Sequence, residues 1–158
     1  MKRESFTPIQ AQQVAGAFAK HQVDYMFIGK SGAILLGYPG TTQDVDVFPR
    51  KDIENGKHIV SALTELGFEI DSTLEAEIVR GKAFVQIKNG PFDIDLVFAP
   101  DGIESYAAAA RRAVMVEDLP VCHPDDIIRS KEKAGRLKDR ESLPRLRAFR
   151  DWWLARRS

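Results

Sequence analysis

Thr42-Gln43-Asp44-Val45-Asp46-Val47-Phe48 is the segment from which the architecture of this chain can be read. Its β-branched and aromatic residues predict a half-buried β-strand. Alternate residues of a strand point to the same face, so Asp44 and Asp46 lie side by side. Carboxylates that face inward need a metal ion, an ion pair or hydrogen bonds. The pair therefore indicates a divalent-cation site, and the alternative is two acids at a strand end that face water.

A second acidic pair, Asp93 and Asp95, lies in the apolar segment Pro91–Phe98 and has the same alternation. Asn89-Gly90 precedes it and predicts a hairpin between strands at about 83–88 and 92–98. If this strand lies beside the Asp44/Asp46 strand, three or four carboxylate oxygens converge on one site. Such a set of oxygens is the environment that Mg²⁺ prefers.

The remaining pattern predicts an α/β (α+β) fold, a mixed β-sheet flanked by helices, with further helices at the C-terminus. Thr7-Pro8 begins a helix, because Thr is a good N-cap and Pro suits the first helical position. Strands are expected at 23–28, about 68–70, 113–116 and 119–122, and helices at 31–36, 52–66, 103–111, 124 to about 134, and at the C-terminus. No linker or repeat is visible, so we expect a single domain over 1–158, with a core at about 23–100 and a C-terminal helical segment at about 124–158.

Composition is that of a small protein without a membrane segment. No apolar run approaches the ~20 residues needed to span a bilayer, and Met1–Ser5 does not resemble a signal peptide. We therefore expect a cytoplasmic protein. Cys122 is the single cysteine, which excludes an internal disulfide and a cysteine-rich zinc site.

The net charge of zero conceals an asymmetry. Residues 1–128 hold 12 Lys and Arg against 19 Asp and Glu, whereas residues 129–158 hold 11 against 4. Within the basic segment, Lys131, Arg136 and Lys138 are candidates to neutralise a triphosphate or a nucleic acid backbone. The final helix carries Leu146, Phe149 and Trp153 along one stripe, which suits packing against the core, stacking on a nucleobase, or a homodimer contact.

Two stretches resemble the polymerase-β-like nucleotidyltransferase superfamily, in its minimal and toxin–antitoxin or abortive-infection branches. The first runs from Tyr25-Met-Phe-Ile-Gly-Lys-Ser to Thr42-Gln-Asp-Val-Asp-Val, and the second is Pro124-Asp-Asp-Ile-Ile-Arg-Ser-Lys-Glu-Lys-Ala-Gly-Arg-Leu-Lys-Asp. The resemblance covers roughly residues 23 to 146. One departure is Lys30, which occupies the position of the family's second small residue, so that Ser31 is shifted by one. A lysine there could contact a phosphate or fill the pocket.

The resemblance implies a role for each candidate residue. Asp44, Asp46 and Asp95 would be the catalytic carboxylates and the ligands of Mg²⁺ or Mn²⁺, with Asp93 in reserve because Ile94-Asp95-Leu96-Val97 matches the family pattern better. Residues expected to bind the nucleotide are Gly29, Lys30, Ser31, Thr42, Lys131, Arg136 and Lys138. The first three would form a phosphate-facing turn at a helix N-terminus.

The function implied is Mg²⁺-dependent transfer of an NMP from an NTP to an acceptor hydroxyl on RNA or tRNA, a protein or a small molecule. The branch resembled adds a toxin–antitoxin context, with tRNA or a cognate toxin or antitoxin protein as partner. The alternatives are a catalytically silent member that binds nucleotide or a partner, and a metal-dependent nuclease. A P-loop is excluded, because Asp24 stands where the first glycine of that motif would have to be.

Overall fold

The computed structural model describes residues 5–157, and the expectation drawn from the N-terminal residues 1–4 lies outside it. Within this range it contains the helices α1 (Pro8–Lys20), α2 (Gly29–Leu35), α3 (Ile53–Leu66), α4 (Ser72–Arg80), α5 (Tyr106–Arg112), α6 (Pro124–Ala134) and α7 (Leu137–Arg157). The strands are β1 (Tyr25–Phe27), β2 (Val45–Pro49), β3 (Phe84–Ile87), β4 (Ile94–Val97), β5 (Val114–Val116) and β6 (Leu119–Val121). The predicted mixture of helices and strands is confirmed.

All six strands in the described range form one mixed sheet in the order β3-β4-β2-β1-β6-β5. The central pair β2 and β4 is parallel, as is the pair β1 and β6, while the other neighbours are antiparallel. The predicted hairpin is confirmed as the antiparallel pair β3 and β4. In this sheet β3 is an edge strand and β4 lies beside β2. The two acidic segments therefore lie on neighbouring strands.

Strand alternation divides the sheet into two differently covered faces. Val45 and Val47 of β2, with Ile94 and Leu96 of β4, join a large apolar cluster that includes buried residues of α1, α3 and α4. The other face carries Phe48 of β2 in a second cluster, with residues from α5, α6 and α7. Asp44, Asp46 and Asp95 alternate with the first set, so they point to this second face. The helices leave a cleft open over them.

Asp52 and Gly67 define the ends of α3 as the sequence predicts. The Asp52 carboxylate accepts a hydrogen bond from the Asn55 backbone N–H at 3.0 Å, and Gly67 adopts the left-handed conformation with φ 102°. Gly56 of the same helix faces the α4 backbone so closely that an added Cβ would lie 2.8 Å from the Val79 Cα. The absence of a side chain at this position thus allows α3 and α4 to cross.

The strand predicted at about 68–70 is wrong. The Glu69 N–H donates to the Asn89 carbonyl at 2.9 Å, but no strand is assigned there, and Phe68 packs edge-on against Phe92 with ring centroids 5.2 Å apart. The chain instead enters α4, which the sequence analysis missed because Ile78 alone among its residues is buried. The end signals were present, since Asp71 caps the N-terminus of α4 and Gly81 ends it.

The C-terminal helices are held by an ion pair to α5 and by apolar packing against the sheet. The carboxylate of Asp126 in α6 is fully buried and accepts from Arg112 Nε at 2.9 Å and from Arg129 Nη1 at 2.7 Å. The stripe predicted on the last helix packs within the molecule, because Leu146, Phe149 and Trp153 are buried in the second cluster. Among the described helices, none is both long and apolar enough to span a membrane.

Candidate active site

Three carboxylates converge where β2 and β4 run side by side. In the parallel register Asp46 is the direct partner of Asp95, and Asp44 precedes Asp46 by two residues on the same face. One oxygen from each of the three residues lies within 4.8 Å of the others. This spacing is compatible with a shared divalent cation. The predicted convergence of the two acidic segments is therefore confirmed, with three carboxylates in the cluster.

The start of α2 holds β2 in position through its backbone and through Ser31. Gly29 has φ 67°, and a Cβ there would overlap the Asp46 carboxylate, so glycine permits the close approach. The buried Ser31 hydroxyl donates to the Ile28 carbonyl at 3.2 Å and accepts from the Asp46 N–H at 2.9 Å. These two hydrogen bonds fix the position of the Asp46 backbone relative to the start of α2.

The electrostatics of the three carboxylates favour a cation between them. Burial, followed by the charge of Asp95, raises the pKa of Asp46 well above its ordinary value, although Lys131 opposes this shift. Burial and the charge of Asp44 raise the pKa of Asp95 to about 6. Asp95 Oδ1 is also buried without a hydrogen-bond partner among residues 5–157. Hard oxygen donors held close together at this electrostatic cost fit Mg²⁺ or Mn²⁺.

The carboxylates lie on the floor of a cleft of about 520 Å³. Its lining comes from α2, the segment before β2, strands β3 and β4, and the end of α6 with the start of α7. A cavity of this size is within the range that holds a nucleotide-sized ligand. The cleft is the space that the second-face helices leave uncovered.

One wall of the cleft is basic. Of the described residues that line the cleft, those carrying positive charge are Lys30, Lys131, Arg136 and Lys138. Burial, with the charges of Lys131 and Lys138, lowers the pKa of Lys30. Cations gathered along one part of a cleft give that part a positive potential, which favours a bound anion.

Asp139 holds two of these cations. Its side chain is buried, and it accepts from Arg136 Nε at 2.8 Å and from Lys131 Nζ at 3.3 Å. Burial opposes its ionisation, but the hydrogen bonds and charges of Arg136 and Lys131 outweigh this effect and lower the pKa of Asp139. Asp139 is therefore an anion that orients the cations towards the cleft.

Most of the residues predicted from the sequence line this cleft, namely Asp44, Asp46, Asp95, Gly29, Lys30, Thr42, Lys131, Arg136 and Lys138. Two differ from the expectation. The Ser31 hydroxyl faces the β2 backbone, away from the cleft, so it supports the site without facing a ligand. Asp93 precedes β4 and is buried outside the carboxylate cluster, with its carbonyl accepting from the Val45 N–H at 3.0 Å.

Asp139, Phe84 and Gln86 also line the cleft, and no role was predicted for them from the sequence. Arg136 directly precedes α7 and Asp139 lies in its first turn, and this spacing of three residues is a signal that would have indicated an ion pair. Gln86 could have been found from its alternation with Val85 and Ile87 in a strand paired with the Asp95 strand.

Comparisons with known proteins agree with this architecture. No protein-family model matches the sequence, and no curated protein is significantly similar to it. Among solved structures, the lincosamide antibiotic adenylyltransferase LnuA, bound to lincomycin, superposes with a TM-score of 0.64 at 13% identity, over 92% of this chain and 99% of LnuA.

A Thermotoga maritima protein assigned as a nucleotidyltransferase superposes with a TM-score of 0.57 at 16% identity, over 87% of this chain and 89% of that chain. At such identities the likeness establishes the architecture, while activity has to be argued from the site. The chain has the nucleotidyltransferase fold.

Proposed function

We propose that this protein is a Mg²⁺- or Mn²⁺-dependent nucleotidyltransferase that transfers an NMP from an NTP to an acceptor hydroxyl. The observation that carries the proposal is the pairing of two features in one cleft. Asp44, Asp46 and Asp95 form an acidic floor, and cations from α2, α6 and α7 form the adjacent wall. A triphosphate with a divalent cation needs both features.

The basic wall receives the β- and γ-phosphates. Lys131 is well placed for this role because its side chain is only 13% exposed and its ammonium is held by Asp139. Lys30 faces it from α2, where the family has a small residue. We assign Lys30 to phosphate binding, since its pKa is lowered by burial and by neighbouring cations that an anion would offset.

The reaction is an in-line displacement at the α-phosphorus. The acceptor oxygen forms a bond to phosphorus while the bond to the bridging oxygen of the β-phosphate breaks, so pyrophosphate leaves. Asp44 and Asp46 would hold the cation, which would supply positive charge to stabilise the transition state of the displacement. Asp95 either completes the ligand set or accepts the proton of the acceptor hydroxyl.

The shared fold supports this class of chemistry, since LnuA is an adenylyltransferase. Several expectations drawn from the sequence stay predictions. They are the toxin–antitoxin context, a tRNA or cognate protein partner, the homodimer contact through the aromatic helix, the cytoplasmic location and the single-domain organisation. The same cations would also suit the phosphate backbone of a nuclease substrate, so the two activities are separated by the requirement for added NTP.

The test is incubation with each common ribonucleoside triphosphate, radiolabelled at the α-phosphate, together with Mg²⁺ or Mn²⁺ and cell extract. We expect label to enter an acceptor and pyrophosphate to be released, with both signals lost in EDTA. The Asp46→Asn variant is the matched control, because it keeps the size of the side chain and removes its charge.

Two results would contradict the proposal. Degradation of RNA or DNA without any added NTP would indicate a nuclease. Mg²⁺-dependent NTP binding without any consumption of NTP, in every extract tried, would indicate a catalytically silent protein.

A further inference from the structure

We infer that the acceptor of this enzyme is a small, uncharged or cationic hydroxyl compound with an apolar face, and that it binds against Phe84 at the β3 side of the cleft. The inference rests on the proposed nucleotidyl transfer. In the sheet, β3 and β4 lie on one side of Asp46, while β1 and the α2 start lie on the other.

The basic wall determines where the acceptor approaches. In an in-line displacement, the attacking and leaving oxygens lie on opposite sides of phosphorus. Lys30 of α2 and Lys131 of α6 are the cations that we assign to the phosphates, so we place the leaving pyrophosphate beside them. The acceptor hydroxyl must then come from the side of β3 and β4, where Asp95 is the carboxylate nearest to that edge.

Strands β3 and β4 and the segment after β4 contribute no positively charged residue to the described lining of the cleft. The described lining on this side consists of Ala83, Phe84, Gln86, Val97, Ala99, Pro100 and Asp101, next to Asp95. These residues therefore offer two acids and no cation. A polyanionic backbone would meet repulsion here without counter-charge, whereas an uncharged or cationic compound would not.

Phe84 is the contact surface on this side. It is 47% exposed although it is a large aromatic residue in a strand, and it lines the cleft. In the β3–β4 register Phe84 pairs with Val97 and Gln86 pairs with Asp95, so both side chains share the face of the carboxylate. Phe84 offers a ring for apolar or cation–π contact, and Gln86 offers an amide that can bind a hydroxyl.

The experiment compares two acceptor sources under conditions of NTP transfer with Mg²⁺. One is total tRNA, and the other is a cell ultrafiltrate free of macromolecules, tested as a dilution series. We expect label in the ultrafiltrate product. Phe84→Ala should raise the half-saturating amount of ultrafiltrate by roughly tenfold, while the KM for NTP stays unchanged. Phe84→Trp should restore most of the loss.

Met115→Ala is the matched control, because Met115 is also a large exposed residue, 62% exposed, on the edge strand at the opposite end of the sheet. It should leave both constants unchanged. Label in tRNA would overturn the acceptor class, and a rise in the KM for NTP in Phe84→Ala would reassign Phe84 to the nucleobase. If the wild-type protein showed no Mg²⁺-dependent binding of NTP, that result would instead contradict the proposed function itself.

Discussion

Asp46 is the residue on which most of the site depends. Its backbone N–H is held by Ser31, its Cα pairs with that of Asp95 in the parallel register, and Gly29 lies against its carboxylate. These contacts set the position of the Asp46 carboxylate, whose ionised form burial disfavours. Residues that are costly in the folded protein and precisely supported by their neighbours are candidates for function.

Replacing Asp44 or Asp46 by alanine should abolish transfer while the fold persists. We expect a loss of about a thousandfold or more in kcat/KM, because the carboxylates that hold the cation are removed. The free energy of unfolding of the metal-free protein should stay the same or rise, since repulsion is relieved. Transfer assays and thermal melts followed by circular dichroism measure the two effects.

Asp118→Ala is the control for these variants, because Asp118 is exposed in the turn between β5 and β6. Near-wild-type transfer by either Asp44→Ala or Asp46→Ala would show that the cluster is not the active site.

Without metal, the protein should lose stability as the pH rises. The pKa of Asp95 is about 6 in the folded protein against an ordinary value of 3.8, so the folded state holds a proton that the unfolded state releases. This stabilisation is complete below 3.8 and is lost as the pH rises through about 6. The lowered pKa of Asp139 acts at more acidic pH, outside this window.

We expect the melting temperature in EDTA to fall between about pH 4.5 and 7 by more in the wild type than in Asp95→Asn, with the interval chosen to bracket the shifted pKa. Saturating Mg²⁺ should restore stability at about pH 7, because the ion binds the folded carboxylates. Equal melting curves for both proteins across the interval would argue against the assigned burial of Asp95.

Asp95→Asn should damage transfer far more than Asp93→Asn. Asp95 belongs to the carboxylate cluster, whereas Asp93 lies outside it. Removing a ligand or general base costs about a hundredfold or more in kcat, and we expect less than about tenfold for Asp93. The isosteric changes make each variant the control for the other, and the reverse ranking would transfer the role to Asp93.

At the scale of elements, α6, α7 and the residues between them supply three of the four cations of the basic wall, namely Lys131, Arg136 and Lys138. The buried Asp126 ties α6 to Arg112 at the end of α5, and Asp139 ties the start of α7 to Lys131. Removing one partner of a buried ion pair costs more than the pair contributes, because the remaining charge is stranded. These two aspartates therefore fix the cations over the cleft.

Neutralising Lys131 should raise the KM for NTP by about tenfold or more, as expected when a charged hydrogen bond is removed, and should leave the affinity for acceptor unchanged. Arg136→Ala should have a smaller effect, because the Arg136 side chain is 61% exposed. The Lys138→Ala effect should also fall on the KM for NTP.

Lys133→Ala is the control on the same helix, since Lys133 is exposed and does not line the cleft. One result would contradict the assignment of these cations to NTP binding. The wall serves a nucleic acid if RNA binding by the wild type falls steeply with salt and the Lys131/Lys138 double variant flattens that slope by about one log unit for each neutralised cation.

At the scale of the whole molecule, the acidic and basic portions of the chain meet across the cleft. The excess of acid in residues 1–128 includes the three carboxylates of the floor, and the basic segment 129–158 supplies three cations of the wall. A net charge of zero thus results from two opposed regions. Their junction is the place where a metal–triphosphate complex finds both of its counter-charges.

A chain ending at Ala134 should fail to fold. Helix α7 buries Leu143, Leu146, Phe149 and Trp153 in the second apolar cluster. Burial of each such side chain contributes about 1.5–3 kcal/mol, so their combined loss is comparable to the total stability of about 5–15 kcal/mol. Circular dichroism and size-exclusion chromatography would measure this outcome.

A chain ending at Leu154 is the control for that truncation, since the residues removed are exposed in the described range. A folded, monomeric product from the shorter chain would show that the C-terminal helical segment is a separate unit, against the single-domain prediction.

The sequence by itself determined the principal acids and most of the elements, but not α4. Alternation in Val45-Asp46-Val47 and Ile94-Asp95-Leu96 identifies strands with one charged face, because side-chain direction follows from local geometry. The end signals of α3 and α6 are local for the same reason. The mixed sheet, the three carboxylates and the basic segment were all predictable on these grounds.

Only the tertiary structure decided which of these groups meet. Four features depend on contacts between residues in different elements. They are the register of Asp46 with Asp95, the ion pair of Asp139 with Lys131, the contact of the Ser31 hydroxyl with β2, and the position of Asp93 outside the carboxylate cluster. Such contacts arise from burial and packing across elements, which leave no periodic signal along the chain. The cleft itself is lined by residues from several helices and strands that only the folded chain brings together.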